Sequence, residues 1–340
     1  MKNNLQLLDC TLRDGGFIND WRFGKLTIQS VVSHLDSAGI DIIECGFLDS
    51  RAAYDENRTM FPNIPSIAKT LVKLPKQAKL AAMIDFGTFK RELLLPKNQS
   101  VLEGIRLIFR KDEIGEALKY AEYIKELGYS VFINPVTISA YRDIEILEMI
   151  EKINKILPSA VSIVDTYGLF FYSDIEKYVH LFDSNLDPSI SLGYHSHNNL
   201  QMSNSLCISL ITKNIGRNLI IDSSVSGMGK NAGNACTELI CAYLSKNKLK
   251  NVSFESVLEC AYADIAKFGS ESRWGYNLDG LLSAVYDCSP NWIDFLMKKN
   301  ISIHGIAVIL DSLPFEKREV SFFNEKLAEE KYIEYLNTGC

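Results

Sequence analysis

The chain has 340 residues, 47% of them hydrophobic, which is enough to bury a full-sized core without disulfide support. Its 36 basic and 42 acidic side chains give a net charge of −6 without a long basic run, so we expect no nucleic-acid partner. No stretch approaches the roughly 20 apolar residues of a membrane span, and the amino terminus lacks a signal-peptide pattern, so we expect no membrane association. The eight cysteines are scattered, several inside apolar runs, which indicates reduced thiols and predicts a cytoplasmic protein.

Short β-branched apolar runs alternate with segments of helical period as far as about residue 246. Ile28, Val31 and Leu35, followed by Gly39, are typical of the helical segments. Each strand candidate is apolar enough to be buried on both faces, as parallel strands usually are. In chain order the eight candidates are QLLDCTL, DIIECGF, LAAMIDF, GIRLIFR, SVFINPV, AVSIVDTYG, SISLGYHSH and NLIIDSSVSG.

Eight β-α pairs within about 250 residues are typical of a closed parallel barrel, whereas a doubly wound open sheet generally has fewer strands. We therefore predict an α/β fold, a (β/α)8 TIM barrel, over residues 1–248. Residues 249–340 carry helical patterns and aromatic residues without strand alternation. We predict that they form a C-terminal helical extension packed on the barrel.

Polar residues mark the predicted ends of three strands, and active sites of such barrels lie at the carboxyl ends of the strands. His195 and His197 end the seventh strand, and residues i and i+2 of a strand point to the same side, so both imidazoles can face the barrel axis. Asp14 ends the first strand, two strands away around a closed barrel. These residues predict a site for one divalent ion with open positions for substrate and water. The alternative for an H-x-H pattern is two ordinary polar residues in a loop.

Two further features adjoin this predicted site. Arg13 is compatible with a structural ion pair to Asp14, although at the mouth of a barrel it is better placed to hold a carboxylate or an enolate oxygen. The glycine-rich segment 227–234 lacks the P-loop pattern, so it is either a tight turn or a loop whose backbone, at Gly229, approaches a ligand closely. Asn234 begins the last barrel helix and offers an oxygen ligand or a helix cap.

The segments LLDCTLRDGG, GYHSHNNLQMSNS and IDSSVSGMGKNAGNACTEL resemble the signatures of the DRE-TIM metallolyases, and among them most those of the 4-hydroxy-2-oxovalerate aldolases. The likeness covers residues 5–245, with the motifs on the first, seventh and eighth strands in the correct order. It implies that Asp14, His195 and His197 ligate a divalent ion, with Mn²⁺ as the first choice and Mg²⁺, Co²⁺ or Zn²⁺ as alternatives. It also implies that Asn234 matches the asparagine that ligates metal in the lyase branch.

The resemblance assigns further roles around the ion. Arg13 would steady a pyruvate enolate, and Glu44, at the end of the second strand, takes the place of an acidic active-site residue. A salt bridge to an inward arginine is the other interpretation of Glu44. Tyr276 is a loose counterpart of a tyrosine in the family's carboxy-terminal extension, and a core position is its alternative. Together with Asn199 and Gly229, it is predicted to contact substrate.

The sequence departs from the aldolase pattern at Phe17, because typical aldolases carry there a histidine that serves as an acid/base group. Phenylalanine cannot transfer a proton, so another group must do so. The candidates are a metal-bound hydroxide and the side chains of Asp20, Tyr141, Asp49 and Glu44, among which the sequence does not select.

The resemblance implies a divalent-metal-dependent aldolase or lyase. Such an enzyme makes or breaks a carbon–carbon bond through the enolate of pyruvate or another 2-oxo acid, with an aldehyde as the second substrate. The alternatives are a Claisen-type condensation of a 2-oxo acid with an acyl-CoA, a barrel that serves only as a binding protein, and a metal-dependent hydrolase. Hydrolases of this kind usually place H-x-H on the first strand. The extension is predicted to support a homodimer or to dock a dehydrogenase partner.

Overall fold

The computed structural model describes residues 5–213, 215–270, 274–314 and 323–338. Within these ranges the chain forms a closed barrel of parallel strands, as the alternating sequence pattern predicts, and the TIM-barrel prediction is confirmed. The strands are β1 (Leu5–Asp9), β2 (Ile42–Leu48), β3 (Met60–Phe61), β4 (Lys79–Asp85), β5 (Gly104–Phe109), β6 (Ser130–Pro135), β7 (Ala160–Asp165), β8 (Ser191–Ser196) and β9 (Leu219–Ser223).

Closure of the barrel follows from the pairing of its first strand. β1 pairs in parallel with β2 on one side and with β9 on the other, so the sheet leaves no open edge between its first and last strands. The two-residue β3 pairs only with the carboxyl end of β2, outside the ring. The eight predicted strands are therefore β1, β2 and β4 to β9.

Helices surround the barrel, and further helices follow the last barrel helix along the chain. The predicted apolar stripe of α3 (Lys25–Ala38) is buried at Ile28, Val31 and Leu35, and the helix ends at Gly39, which takes a left-handed conformation at φ 80°. The helices are α1 (Thr11–Asp14), α2 (Gly16–Asn19), α3 (Lys25–Ala38), α4 (Ile64–Thr70), α5 (Ile114–Glu126), α6 (Asp143–Ile156), α7 (Tyr172–Asn185), α8 (Ser203–Thr212), α9 (Thr237–Lys246), α10 (Phe254–Cys260), α11 (Leu278–Val285), α12 (Pro290–Lys298), α13 (Ile303–Asp311) and α14 (Glu325–Thr338).

One connection differs from the regular β-α pattern. Between β4 and β5 the described chain forms two short 3₁₀ turns, Arg91–Leu93 and Lys97–Gln99, in place of an α-helix. Pro96 separates the two turns, and proline cannot continue a helix because it lacks the backbone N–H and clashes with the preceding turn.

The interior of the barrel changes from apolar to charged along the strands. Ile42, Phe132 and Ile220 belong to an apolar layer in the amino-terminal halves of their strands. Two residues further along a strand, the side chain points again to the interior. At that height β2, β6 and β9 carry polar side chains, and β5 adds one more: Glu44, Asn134, Asp222 and Arg106.

A bulge in β2 brings Glu44 and Phe47 to their places in the barrel. The register between β2 and β4 shifts between these two residues. Gly46, within the bulge, has φ +146°, and a Cβ atom there would lie 1.9 Å from the backbone oxygen of Thr59. Only glycine fits this close approach of two backbone segments.

After α9, the described residues form helices joined by short connections, without a strand. α10 packs against α3, and the backbone N–H of Ser253 donates to the carbonyl oxygen of Ala38 over 2.9 Å. A second apolar cluster forms around Trp292, Leu296 and Leu310 from α12 and α13. The proposed division at residue 248 stays a prediction. No described helix has the length and apolar character that a crossing of the membrane requires.

Candidate metal and substrate site

A buried network of charges lies across the barrel interior, just below the carboxyl ends of the strands. The guanidinium of Arg106 donates to Glu44 Oε2 over 3.0 Å and to Asn134 Oδ1 over 2.9 Å. It also pairs with Asp222, and Arg106, Glu44 and Asp222 are all at most 1% exposed. Buried charges persist only when they are paired in this way. Arg106 and Asp222 were not predicted from the sequence, although a charged residue within an otherwise apolar strand is the signal that would have found them.

Arg13 connects this network to the predicted metal site. Its Nε donates to Glu44 Oε2 over 2.7 Å, and its Nη1 donates to Asp14 Oδ1 over 2.5 Å. The salt bridge that was the other interpretation of Glu44 is therefore present, because its carboxylate holds two arginines at the base of the site. Its role as an acidic active-site residue stays a prediction. The guanidinium of Arg13 is fixed from two sides, and neither contact uses its Nη2.

Asp14 reaches the barrel axis from a short helix and not from the end of β1, which corrects the sequence-based expectation. β1 stops at Asp9, whose side chain accepts from the backbone N–H of Thr11 over 2.9 Å. The carbonyl of Cys10 then accepts from the N–H groups of Arg13 and Asp14, which turns the chain into α1. An aspartate side chain that bonds to the backbone two residues onward commonly ends a strand in this manner.

Asp14, His195 and His197 come together as predicted. One potential ligand atom from each of the three lies within 4.8 Å of the others, and all three side chains are buried. The imidazole rings of His195 and His197 stand 5.1 Å apart at an interplanar angle of 89°. His195 Nδ1 lies 3.1 Å from Asp222 Oδ2, so its other ring nitrogen is the one that can face an ion.

The protonation states of two of these groups suit a cation. Although burial by itself raises the pKa of Asp14, the guanidinium of Arg13 and the two imidazoles hold that pKa well below its usual range. Burial lowers the pKa of His197 to about 4. The site therefore offers an ionised carboxylate and a neutral imidazole, which are the forms that donate electron pairs to a metal ion.

Several buried polar atoms near Asp14 fit the presence of an ion. Asn234 Nδ2 donates to Asp14 Oδ2 over 2.6 Å, whereas Asn234 Oδ1 and His197 Nδ1 are buried without a hydrogen-bond partner in the described structure. A Cβ atom at Gly229 would lie 2.6 Å from Asp14 Oδ2, so the loop backbone approaches the carboxylate closely. Two imidazoles, a carboxylate and an amide oxygen form a donor set that fits a divalent metal ion.

A cavity of about 210 Å³ opens directly above this set. Four predicted site residues line it: Arg13, Asp14, His195 and His197. Phe17, at which the sequence departs from the aldolase pattern, also lines it. Its further lining includes three cationic side chains that the sequence analysis did not select: Arg106, Arg110 and Lys230. Lys230 lies in the glycine-rich loop, and its position between glycines in a ligand-facing segment was the available signal.

The other predicted residues are not among the described residues that line the cavity. Asp20 is exposed and pairs with Arg58. Tyr141 is packed in the hydrophobic core, where burial raises its pKa far above the usual value. Tyr276 is 59% exposed, so the core interpretation is also wrong for it. Asn199, predicted as a substrate contact, is buried, and its side-chain oxygen accepts from the backbone N–H of Ala232 over 3.3 Å.

Phe17 stands at the rim of the cavity within an aromatic cluster. Its ring lies 4.9 Å from that of Trp21 and 6.4 Å from that of Phe47, both in edge-to-face arrangements. The indole N–H of Trp21 donates to the carbonyl of Arg13 over 2.8 Å, which ties the cluster to the site. An apolar wall therefore replaces the histidine that typical aldolases carry.

Comparison with known proteins identifies a matching family model and several similar proteins. A family model described as HMGL-like matches residues 4–262. The chain is 27% identical over 246 residues to the 4-hydroxy-2-oxovalerate aldolase of Thermomicrobium roseum, which covers 71% of this chain and 67% of that protein. It is 25% identical over 277 residues to the oxaloacetate decarboxylase of Mycobacterium tuberculosis, which covers 80% and 79%.

Solved structures agree on the fold. The HMG-CoA lyase of Bacillus subtilis superposes with a TM-score of 0.62 at 17% identity, over 79% of this chain and 94% of that one. The carboxyl transferase domain of Rhizobium etli pyruvate carboxylase superposes with a TM-score of 0.69 at 10% identity, over 99% of this chain and 61% of that one. The family model spans most of the sequence, and the motif resemblance is confirmed by it. The chain therefore belongs to the HMGL-like family of DRE-TIM metallolyases, whose enzymes use a divalent metal ion.

Proposed function

We propose that this protein is a divalent-metal-dependent carbon–carbon lyase of the pyruvate aldolase type. It makes or breaks a bond next to the carbonyl group of a 2-oxo acid, with an aldehyde as the second substrate. The observation that carries the proposal is the convergence of Asp14, His195 and His197 beside Arg13 in one cavity. Relatives at about a quarter identity include several aldolases that act on 4-hydroxy-2-oxovalerate, as their names state.

Asp14, His195, His197 and the amide oxygen of Asn234 would hold the ion, with Mn²⁺ as the first candidate and Mg²⁺, Co²⁺ or Zn²⁺ as the others. When bound, such an ion supplies Lewis-acid stabilisation of negative charge on the oxygens of a 2-oxo acid. Asp222 orients the ring of His195 through its contact with Nδ1.

Arg13 stabilises the negative charge that develops on the substrate oxygen as the enolate forms. Glu44 and Asp14 hold its guanidinium in place before substrate arrives, so little reorganisation is needed during the reaction. Its Nη2, which these two carboxylates do not engage, is the nitrogen that can donate to the substrate.

The charge balance of the site favours an anionic substrate. In the buried network at the base of the site, the guanidiniums of Arg13 and Arg106 face the carboxylates of Asp14, Glu44 and Asp222, which leaves this network with an excess of one negative group. A divalent cation reverses the sign of this balance. A site with a net positive charge and few competing acids binds the carboxylate of a 2-oxo acid.

Decarboxylation of a 3-carboxy-2-oxo acid is the second candidate, and Phe17 favours it. Cleavage of a 4-hydroxy-2-oxo acid requires a base that removes the hydroxyl proton, and Phe17 cannot act as one. Loss of carbon dioxide from oxaloacetate leads to the same enolate without removal of such a proton. The similar oxaloacetate decarboxylase of Mycobacterium tuberculosis supports including this reaction.

The Claisen-type condensation with an acyl-CoA stays the alternative within the same superfamily, since it also uses an enolate. A cavity of about 210 Å³ accommodates the acyl end of such a substrate and not a whole coenzyme. A second copy of the chain or a dehydrogenase as a partner of the carboxy-terminal helices stays a proposal, as does a cytoplasmic location.

The test is exchange of the methyl protons of pyruvate in deuterated water, followed by NMR with Mn²⁺ and again after chelation. We expect exchange that requires the metal. Exchange that persists without metal, or its absence with every 2-oxo acid tried, would contradict enolate chemistry at this site.

A screen of pyruvate with aldehydes and acyl-CoAs, run beside oxaloacetate, then separates the candidate reactions. Release of carbon dioxide from oxaloacetate without any aldehyde product would select decarboxylation over aldol chemistry.

A further inference from the structure

The cavity is lined by more positive than negative groups, and one of the positive groups has no acidic partner among the described residues. Among the described lining residues, Asp14 is the single carboxylate beside the four cations Arg13, Arg106, Arg110 and Lys230. The three arginines are each paired with carboxylates, and Arg110 pairs with Asp85 over 3.0 Å. Lys230 forms no salt bridge with any residue that the structure describes.

Two aromatic rings hold the Lys230 ammonium at the mouth of the cavity. Its Nζ lies 5.6 Å from the ring centroid of Phe17 and 5.7 Å from that of Tyr167. Contacts of this kind position a cation but leave its hydrogen-bond donors available, and an anion satisfies those donors better than a ring does. The two rings therefore hold the Lys230 ammonium in position, while no described carboxylate neutralises its charge.

The backbone brings Lys230 close to the reacting centre. Lys230 follows Gly229, whose backbone packs against the carboxylate of Asp14, and it precedes Asn234 by four residues. Lys230 and three of the proposed metal ligands line the same cavity of about 210 Å³, so a ligand that fills the cavity contacts both.

We propose that Lys230 binds an anionic group, a carboxylate or a phosphate, on the short carbonyl compound that reacts with the 2-oxo acid. The proposal rests on the proposed function for the identity of the first substrate. It makes the second substrate a charged aldehyde and not a small neutral one. Phe17 and Tyr167 act as the apolar walls that direct the ammonium toward that group.

The first experiment measures binding without turnover. Isothermal titration compares 2-oxoglutarate, which has a tail carboxylate, with 2-oxopentanoate, which has a neutral tail of the same carbon number, in the presence of Mn²⁺. We expect wild type to prefer 2-oxoglutarate at least tenfold and Lys230→Gln to lose about tenfold of that preference, the usual effect of removing one charge-assisted hydrogen bond. Lys230→Arg keeps the charge and retains most of the preference.

Lys246→Gln is the matched control, because Lys246 is exposed at the end of α9 and is not among the described residues that line the cavity. We expect its preference ratio to match that of wild type. An unchanged ratio in Lys230→Gln, or a loss of preference in Lys246→Gln that equals the loss in Lys230→Gln, overturns the assignment.

The second experiment measures kcat/KM for pyruvate addition to butanal, succinic semialdehyde and glyceraldehyde 3-phosphate. Preference for the semialdehyde identifies a carboxylate, and preference for the phosphorylated aldehyde identifies a phosphate. Equal or better use of butanal by wild type overturns the proposal. If pyruvate shows no proton exchange, the proposed function fails, but the binding comparison still decides the role of Lys230.

Discussion

At the scale of single residues, the site is organised before any ligand arrives. Asp14 is held by Arg13 Nη1 on one oxygen and by Asn234 Nδ2 on the other, and Arg13 is held in turn by Glu44. These contacts fix the carboxylate as an anion in one orientation, so binding an ion does not require ordering it. Conformational entropy that is lost on folding is not lost again on binding.

Asp9, which lies below the site, leads to a prediction about how the stability of the fold depends on pH. Its burial raises its pKa to about 6, although Thr11 and Thr237 donate hydrogen bonds to it. The folded state therefore keeps a proton that the unfolded chain has already lost. This contribution to stability is fully present below about pH 4 and disappears as the pH rises through 6, at roughly 1 kcal/mol per pH unit in between.

Asp9→Asn carries no titrating proton at this position, and its amide can still accept from Thr11. Urea unfolding of both proteins with chelator at pH 4.5 and pH 7 measures the effect. We expect the free energy of unfolding of the variant, relative to wild type, to be higher at pH 7 than at pH 4.5. Identical pH dependence in the two proteins would contradict the raised pKa of Asp9.

At the scale of secondary structure, irregular pieces of backbone carry the site while regular strands support it. Asp14 lies on α1, His197 follows β8, and Asn234 pairs with His197 through an isolated bridge. The regular strands supply the buried layer beneath. Binding residues on loops that a rigid scaffold positions are typical of such barrels.

The bulge of β2 yields a prediction at this scale. Gly46→Ala places a methyl group 1.9 Å from the backbone oxygen of Thr59 at a φ of +146°, and a backbone atom cannot yield as a flexible side chain can. We expect a loss of at least about 2 kcal/mol in the free energy of unfolding, measured by chemical denaturation.

The control is Gly115→Ala in α5, where an added Cβ meets nothing within 4 Å. Alanine there removes conformational freedom from the unfolded chain and favours the helix, so a gain of up to about 1 kcal/mol is expected. Similar effects of the two substitutions would show that the close approach at Gly46 is unimportant for stability.

At the scale of the whole molecule, the barrel and the proposed metal ion are linked through stability. Asp14 follows β1, His195 and His197 belong to the β8 segment, and Asn234 follows β9, so one ion would join the strands on both sides of the point where the barrel closes. An ion that binds only the folded state stabilises it by about 2.7 kcal/mol at a concentration about 100 times its Kd.

We therefore expect Mn²⁺ to raise the Tm of wild type by several degrees, as measured by scanning calorimetry. His197→Ala loses one ligand and should show little increase. His180→Ala is the control, because His180 is exposed on α7 and should respond as wild type does. Equal Tm increases in all three proteins would contradict the proposed ion site.

The sequence by itself determined the barrel and the identity of its motif residues. Strand alternation and helical period are local properties, because successive side chains alternate between faces whatever the distant chain does. The i and i+2 spacing of His195 and His197 likewise follows from local geometry. The eight strands, the helical chain after residue 246 and the meeting of Asp14 with both histidines could therefore be predicted.

Only the tertiary structure decided which other residues reach the cavity. Asp20 and Tyr141 were chemically suitable, yet one pairs with Arg58 at the surface and the other is packed in the core. Lys230 and Arg106 were not predicted as site residues, yet both line the cavity. The reason is physical: the path of a loop and the partner of a buried charge depend on contacts between residues far apart in sequence, such as Arg106 with Asp222.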